Sequence, residues 1–348
     1  MTVIGAALWN LVMNAAVSLA FALLGGAIAA RLVRARHPRL AVVLLATPFV
    51  KAAYEVARGI PSTSFFWLKL GGAAQELGTF RVGLGLRAPA ILDVQVVIGA
   101  ISNERGYDQS IADVVATGLS RHVAPWLAPA LGFVVAALAL LPVAAWAARR
   151  LRSRRERAAI ARSAEVLETR RIGVRAVRIA LVDGRGLIPF AFGVISPWVC
   201  IPRPAWAALT EGEREAVIAH ELAHLRFFDE LLVAFVDLVA TALWFVPGAR
   251  AGVRAFRAQI ELGADAWAAR SVPATMLASA LVRIAELARG AAPEHASALL
   301  GPPRLLSRRV VTLVEAPPPP SRARRVLLSI ATLLLTTAIL RATTLGNP

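Results

Sequence analysis

The stretch Ala219-His220-Glu221-Leu222-Ala223-His224 concentrates more reactive chemistry than any other part of the sequence. Two histidines at i and i+4 stand one above the other on a helix, so both imidazoles can reach a single metal ion. Glu221, beside the first of them, is placed to take a proton from a metal-bound water whose pKa zinc lowers toward ~7. With only five histidines in 348 residues, chance rarely produces this spacing. The chemistry it suits is hydrolysis of a peptide bond. A hydrolytic zinc takes three protein ligands and keeps one position open. The third is not a further histidine of the same motif, because Phe227 and Glu230 stand where a Gly and a His would be needed. An acid from further along must serve, and Glu261-Leu262-Gly263-Ala264-Asp265 offers one in Glu261. Asp265 falls one helical turn later, where it can accept a hydrogen bond from a ligand histidine and fix its tautomer. The expectation is one zinc per chain on His220, His224 and Glu261, with Glu221 as general base and Asp265 behind a ligand.

These residues need elements that bring them together. Thr210-Glu211-Gly212-Glu213 matches the capping box, so a helix should begin there and run past His224. Leu231–Pro247 is an apolar run with one charge, Asp237. If it crossed a bilayer, Glu261 would end on the opposite side from the histidines. A helical hairpin avoids the conflict: about 18 residues rise ~26 Å, Pro247-Gly248 turns the chain, and about 13 residues return ~20 Å toward Glu261. Leu231–Pro247 is therefore expected to be buried or membrane-dipping. Upstream, Val174–Val182 and Phe190–Ile201 around Gly193 carry strand-like patterns. Arg149–Arg171 is charged and helix-prone, and reads as a juxtamembrane helix.

The composition asks for a membrane. The hydrophobic fraction is 57% and the mean hydropathy +0.62, against ~45–50% apolar residues in an ordinary soluble domain. A formal charge of +17 also fits a nucleic-acid binder, but the arginines border apolar runs. Ala6–Ala30 is uncharged and is followed by Arg31, Arg34, Arg36 and Arg39; Trp126–Ala148 is uncharged and is followed by Arg149, Arg150, Arg152, Arg154, Arg155 and Arg157. Arg322, Arg324 and Arg325 precede Val326–Leu340. Cytoplasmic flanks of membrane helices collect arginine, so these clusters read as orientation signals, and no direct nucleic-acid partner is expected. The run near Leu40 is a weaker span, interrupted by Lys51 and Glu55, and Val326–Leu340 is short, ~22 Å of helix. Positive charge after the first run is the reverse of a secretory signal, and puts the N-terminus outside. The division is two transmembrane helices in 1–57, an extracytoplasmic loop or small domain in 58–122, a third span in 123–148, a cytoplasmic peptidase domain in 149–315, and a proline linker with a C-terminal membrane segment in 316–348. The expected fold is a mainly α membrane protein whose several transmembrane helices carry an α+β zincin-like domain with a small sheet. It is placed, multi-pass, in a bacterial-type inner membrane. Cys200 is the only cysteine, which suits a reducing compartment.

Several short motifs lie in a recognisable order: Pro189-Phe190-Ala191-Phe192-Gly193, Pro197, Ile201-Pro202, the His220–His224 motif with Asp229, Trp244-Phe245-Val246-Pro247, and Glu261 to Asp265. Together, over roughly 149–315, they resemble the peptidase domain of BlaR/MecR-type membrane metallopeptidases. The resemblance implies a cytoplasmic gluzincin-like domain acting on a cytoplasmic or membrane-proximal protein, such as a regulator in a signalling circuit. It also implies that Val194–Pro202 forms a strand beside the cleft, able to bind substrate backbone by strand addition. The best-known members carry an extracellular penicillin-binding sensor after the last span. None follows here before Pro348, so β-lactam sensing through such a domain is not expected. HtpX-type quality-control peptidases share the Glu-x-x-Ala-Asp pattern, which leaves that role open beside a non-catalytic signalling one. For the oxyanion, His295, Arg304 and Arg308 are the candidate donors, since Tyr54 and Tyr107 are the only tyrosines and lie outside the domain.

Overall fold

Uncharged runs rich in Ala and Leu make the longest helices of the chain, because their side chains lose little freedom there and offer the backbone no competing partner. The computed structural model describes residues 2–33, 37–59, 127–183, 188–291, 303–315 and 321–341. Residues 60–126, which hold nearly all of the expected extracytoplasmic segment, and the tetraproline of the linker lie outside those residues. Helix α1 is Thr2–Val33 and α2 is Pro38–Gly59. Helix α3, Leu127–Arg162, runs without a break from the uncharged segment through the arginine cluster. The juxtamembrane helix expected over Arg149–Arg171 therefore stops at Arg162. Residues from Glu165 onward are strand instead, because the two-residue turn at Gly173 and Val174 folds them back in register as a hairpin that closes on the Ile172–Arg175 pair.

The sheet has four strands, β1 Glu165–Ile172, β2 Arg175–Val182, β3 Phe190–Phe192 and β4 Trp198–Pro202, in the order β1-β2-β4-β3. Strands β2 and β4 are parallel and the two outer pairs antiparallel. One correction follows. The strand expected beside the cleft over Val194–Pro202 is β4, which is hydrogen-bonded on both sides and has no free edge. Residues 194–197 are turn, and the edge lying against the histidine helix is β3.

Beyond the sheet come α4 Arg203–Ala208, α5 Glu211–Arg226, α6 Asp229–Ala242, α7 Ala249–Ala268, α8 Ala274–Ala291, α9 Pro303–Val314 and α10 Arg322–Arg341. The capping box at the start of α5 is complete, with the Thr210 side chain taking the Glu213 amide and Glu213 taking the Thr210 amide. Helices α6 and α7 form the hairpin. Its tip is packed into the core made by α1 and α2, where Val236, Leu243 and Phe256 meet Leu19, Leu44 and Phe49. Two contacts fix how far it reaches. The Trp244 indole N–H donates to the Leu138 carbonyl of α3 at 3.0 Å, ~16 Å of helix before Arg149. At Gly252 a Cβ would lie 2.7 Å from Leu23 of α1, ~12 Å before Arg31. The hairpin thus penetrates about halfway along the bundle and returns. Helix α10, at 20 residues longer than its apolar run, lies against α1 and α2. Among the described residues one helix, Phe133–Arg162, is long and apolar enough to cross a membrane, while Ser18–Val33 and Val326–Leu340 are shorter apolar stretches.

Candidate metal centre

Helix α5 carries His220 and His224 on one face, and the return of the hairpin brings Glu261 on α7 to meet them. One ligand atom from each of the three lies within 4.8 Å of the others. The two Nε2 atoms are 3.2 Å apart, and Glu261 oxygens lie 3.5 Å from His220 Nε2 and 4.0 Å from His224 Nε2. Zinc bonds of ~2.0–2.1 Å in a tetrahedron place neighbouring ligand atoms ~3.4 Å apart. The triad therefore fits one such ion after small side-chain movements.

The outer faces of both rings strengthen that fit. His220 Nδ1 stands 3.0 Å from Asp265 Oδ1, and His224 Nδ1 stands 2.8 Å from Asp229 Oδ2. An imidazole that donates Nδ1–H to a carboxylate keeps the Nε2 lone pair for a metal. Asp265 is in the position anticipated from its spacing. Asp229 was present in the sequence pattern but without a role. The left-handed Phe228, φ 55°, ends the turn after α5 and swings Asp229 back toward His224.

Arg309 escaped the sequence reading. Its guanidinium makes a fork on Asp265, with Nε to Oδ2 at 2.8 Å and Nη2 to Oδ1 at 2.7 Å, and reaches Glu261 Oε2 at 3.0 Å. The signal was faint but present: Leu306, Val310 and Leu313 mark the inward stripe of α9, and Arg309 falls in it. Arg304 and Arg308, offered as oxyanion donors, are instead exposed, and His295 lies outside the described residues. Arg309 Nη2 also comes within 3.2 Å of His220 Nε2. A bound cation must displace that last contact, while the fork on Asp265 can stay.

Charge is strongly coupled here. Burial and then Arg309 push the His220 pKa down, but hydrogen bonds to Asp265 and Glu261 outweigh both and raise it to about 9. Burial acts to raise Glu261 and Asp265, yet Arg309 and His220, joined at Glu261 by His224, hold both carboxyls below their usual range. Burial lowers Arg309 and the two carboxylates more than restore it. Glu221 is buried on α5 and is not one of the three converging ligands. Cys200 on β4 is buried, and burial with the charge of Glu221 pushes its thiol up to about 12, so it is neither ligand nor nucleophile.

A mainly helical chain with a small mixed sheet, two histidines on one helix and an acid on the next helix but one defines the class. A family model described as BlaR1 peptidase M56 matches residues 93–313, and the chain belongs to that family of peptidases. The match begins well before the boundary at 149 and ends just after Arg309. No curated protein and no solved structure shows significant similarity to the chain.

Proposed function

We propose that this protein is a membrane-anchored zinc endopeptidase that cuts a cytoplasmic or membrane-proximal protein. The observation that carries the reading is the convergence of His220, His224 and Glu261 at zinc-like separations, with each imidazole turned by its own carboxylate. Zinc held there supplies Lewis acidity to the peptide carbonyl and acidity to a bound water. Glu221 takes the proton of the attacking water and returns it to the leaving amine nitrogen. Asp265 and Asp229 hold the imidazole rings so that neither rotates during that exchange. The edge strand β3 offers backbone groups to an extended substrate, aligning its scissile bond beside α5. Membrane anchoring is supported by Phe133–Arg162, by the arginines that border the apolar runs of the sequence, and by the packing of the hairpin against α1 and α2.

The test compares wild type with Glu221→Gln in cells, reading cleaved proteins and zinc content together. Zinc content should stay near wild type while cleavage falls at least ~10²-fold, the usual size of a lost general base. Undiminished proteolysis in Glu221→Gln would overturn the mechanism. If neither protein cleaves anything while both hold zinc, a non-catalytic signalling role takes its place.

A further inference from the structure

Arg39 belongs to the cluster after the first helix, where its charge is accounted for by membrane orientation alone. Its surroundings say more. It stands on the first turn of α2, and its Nη1 donates to Asp229 Oδ1 at 2.6 Å, while Oδ2 of the same carboxylate takes His224 Nδ1 at 2.8 Å. The chain of contacts runs from the first turn of α2, through Asp229, to a residue of the metal triad. Asp229 is only 3% exposed, so without Arg39 its charge would be buried with a single imidazole as partner.

Two further contacts lock the guanidinium in that place. Its Cζ lies 4.1 Å from the centroid of the Phe227 ring, directly after the histidine helix. At Gly263, between Glu261 and Asp265, a Cβ would lie 2.7 Å from Arg39 Nε and 2.8 Å from its Cδ. Only a residue without a side chain lets α7 approach the arginine so closely. Nε and Nη2 of Arg39 are buried without a hydrogen-bond partner among the described residues. The contact is built from two separate segments of the peptidase, Phe227 to Asp229 just after His224 and Gly263 between Glu261 and Asp265.

The geometry points to Arg39 as a positioning residue of the metal centre, through which the start of α2 sets how His224 presents Nε2 to the metal. It acts by fixing the Asp229 carboxylate, and touches neither metal nor substrate. A displacement of the first two helices would withdraw this support from one ligand and leave the Asp265–His220 side in place. The metal site is thereby assembled partly by the helix bundle.

The inference rests on the zinc reading above, and the experiment separates the two. Zinc affinity of the full chain in nanodiscs is measured by competition with a chromophoric chelator for wild type, His224→Ala, Asp229→Asn, Arg39→Gln and the double variant. Both Asp229→Asn and Arg39→Gln should bind zinc roughly 10-fold or more weakly, the usual effect of losing an outer partner of a ligand. The double variant should be no weaker than Asp229→Asn alone, because Arg39 works through that carboxylate. The visible spectrum of bound cobalt should shift in the same way in both single variants, and Arg39→Lys should regain part of the affinity. Wild-type affinity in Arg39→Gln, or losses that multiply in the double variant, would overturn the inference while leaving the zinc site intact. Absence of zinc binding in wild type, or its retention in His224→Ala, would overturn the zinc reading itself. Should Arg39→Gln fail to fold, Gly263→Ala decides. It displaces the arginine without removing any polar group, so the same loss is expected, and unchanged affinity refutes the role.

Discussion

The two histidines are supported in the same way from opposite directions. Behind each stands an aspartate, and behind each aspartate an arginine. On the His220 side both supports come from the peptidase domain, Asp265 from α7 and Arg309 from α9, and all are nearly buried. On the His224 side the aspartate sits where the hairpin begins, and the arginine comes from α2, 190 positions earlier in the chain and 21% exposed. The first support belongs to the local fold and stands or falls with it. The second depends on how the helix bundle meets the domain. A site built this way can keep one ligand firm while the other responds to the helix bundle.

The largest effect should come from breaking the buried side. Arg309→Met leaves Asp265 and Glu261 without their shared cation, and removing one member of a buried charge network typically costs about 3–5 kcal/mol. The metal-free chain should therefore lose stability on that scale in a denaturation series, well beyond the loss in Arg39→Gln, whose arginine is partly open to solvent. Adding zinc supplies positive charge to Glu261 again. At a thousandfold excess over the variant's own dissociation constant it should restore roughly 4 kcal/mol. If zinc restores nothing, Arg309 and the metal do not share the same carboxylates.

The same comparison shows what a sequence can carry. Spacing alone brought out His220, Glu221 and His224, since a helix turns i and i+4 to one side. Glu261 and Asp265 followed from that rule plus the requirement that the chain return to where it started, which Pro247-Gly248 announced. The capping box fixed where α5 begins. Asp229 lay five residues from His224, but only the left-handed turn at Phe228 aims it, and Phe228 gives no hint of that conformation. Arg309 could be suspected from its place in an apolar stripe. Arg39 could not, because a membrane-orientation signal explained it fully and its partners lie in two distant segments. The strand beside the cleft was misplaced for a similar reason. Which strand of a sheet is its edge depends on the order of pairing, and β4 enters between β2 and β3 by pairing parallel to β2, which local pattern does not encode.

A pH series sharpens the contrast at intermediate size. Zinc needs neutral imidazole, yet His220 in the metal-free chain keeps its proton up to about pH 9. Its raised pKa stabilises the metal-free fold fully below the unfolded value near ~6.5, and that contribution is lost as pH rises through the folded value. Metal binding should run the other way. Between about pH 6.5 and 9 zinc affinity should rise up to ~10-fold per unit as one proton is displaced from His220. Calorimetry in buffers of different ionisation enthalpy should count about one proton released near pH 7. A flat affinity over this range would mean that His220 is already neutral, and that Asp265 and Glu261 do not hold its proton.

The smallest expected effect concerns the hairpin that links the two sides, since Asp229 opens it and Glu261 and Asp265 close it. Asp237 is the single charge in its apolar run, and Arg257 from the returning helix pairs with it at 2.5 Å. Arg257 is half exposed, at 54%. In water such a pair contributes about 0–1 kcal/mol. Within or beside hydrocarbon the balance differs, because an acid stripped of its partner costs about 2–3 kcal/mol at depth. Counting from Asp229, Asp237 lies ~12 Å along the hairpin, and the tip reaches Leu23 and Leu138 well inside the bundle. Arg257→Ala should accordingly destabilise the protein by about 1–3 kcal/mol in nanodiscs. Adding Asp237→Asn should recover most of the loss, since a neutral amide no longer needs the guanidinium. Zinc affinity should hardly move, because neither residue touches the histidines or their carboxylates. A loss of a few tenths of a kcal/mol would place this face of the hairpin in water. A parallel drop in zinc affinity would show that the hairpin transmits strain to both sides of the site, and the separation between a firm and a responsive ligand would fail.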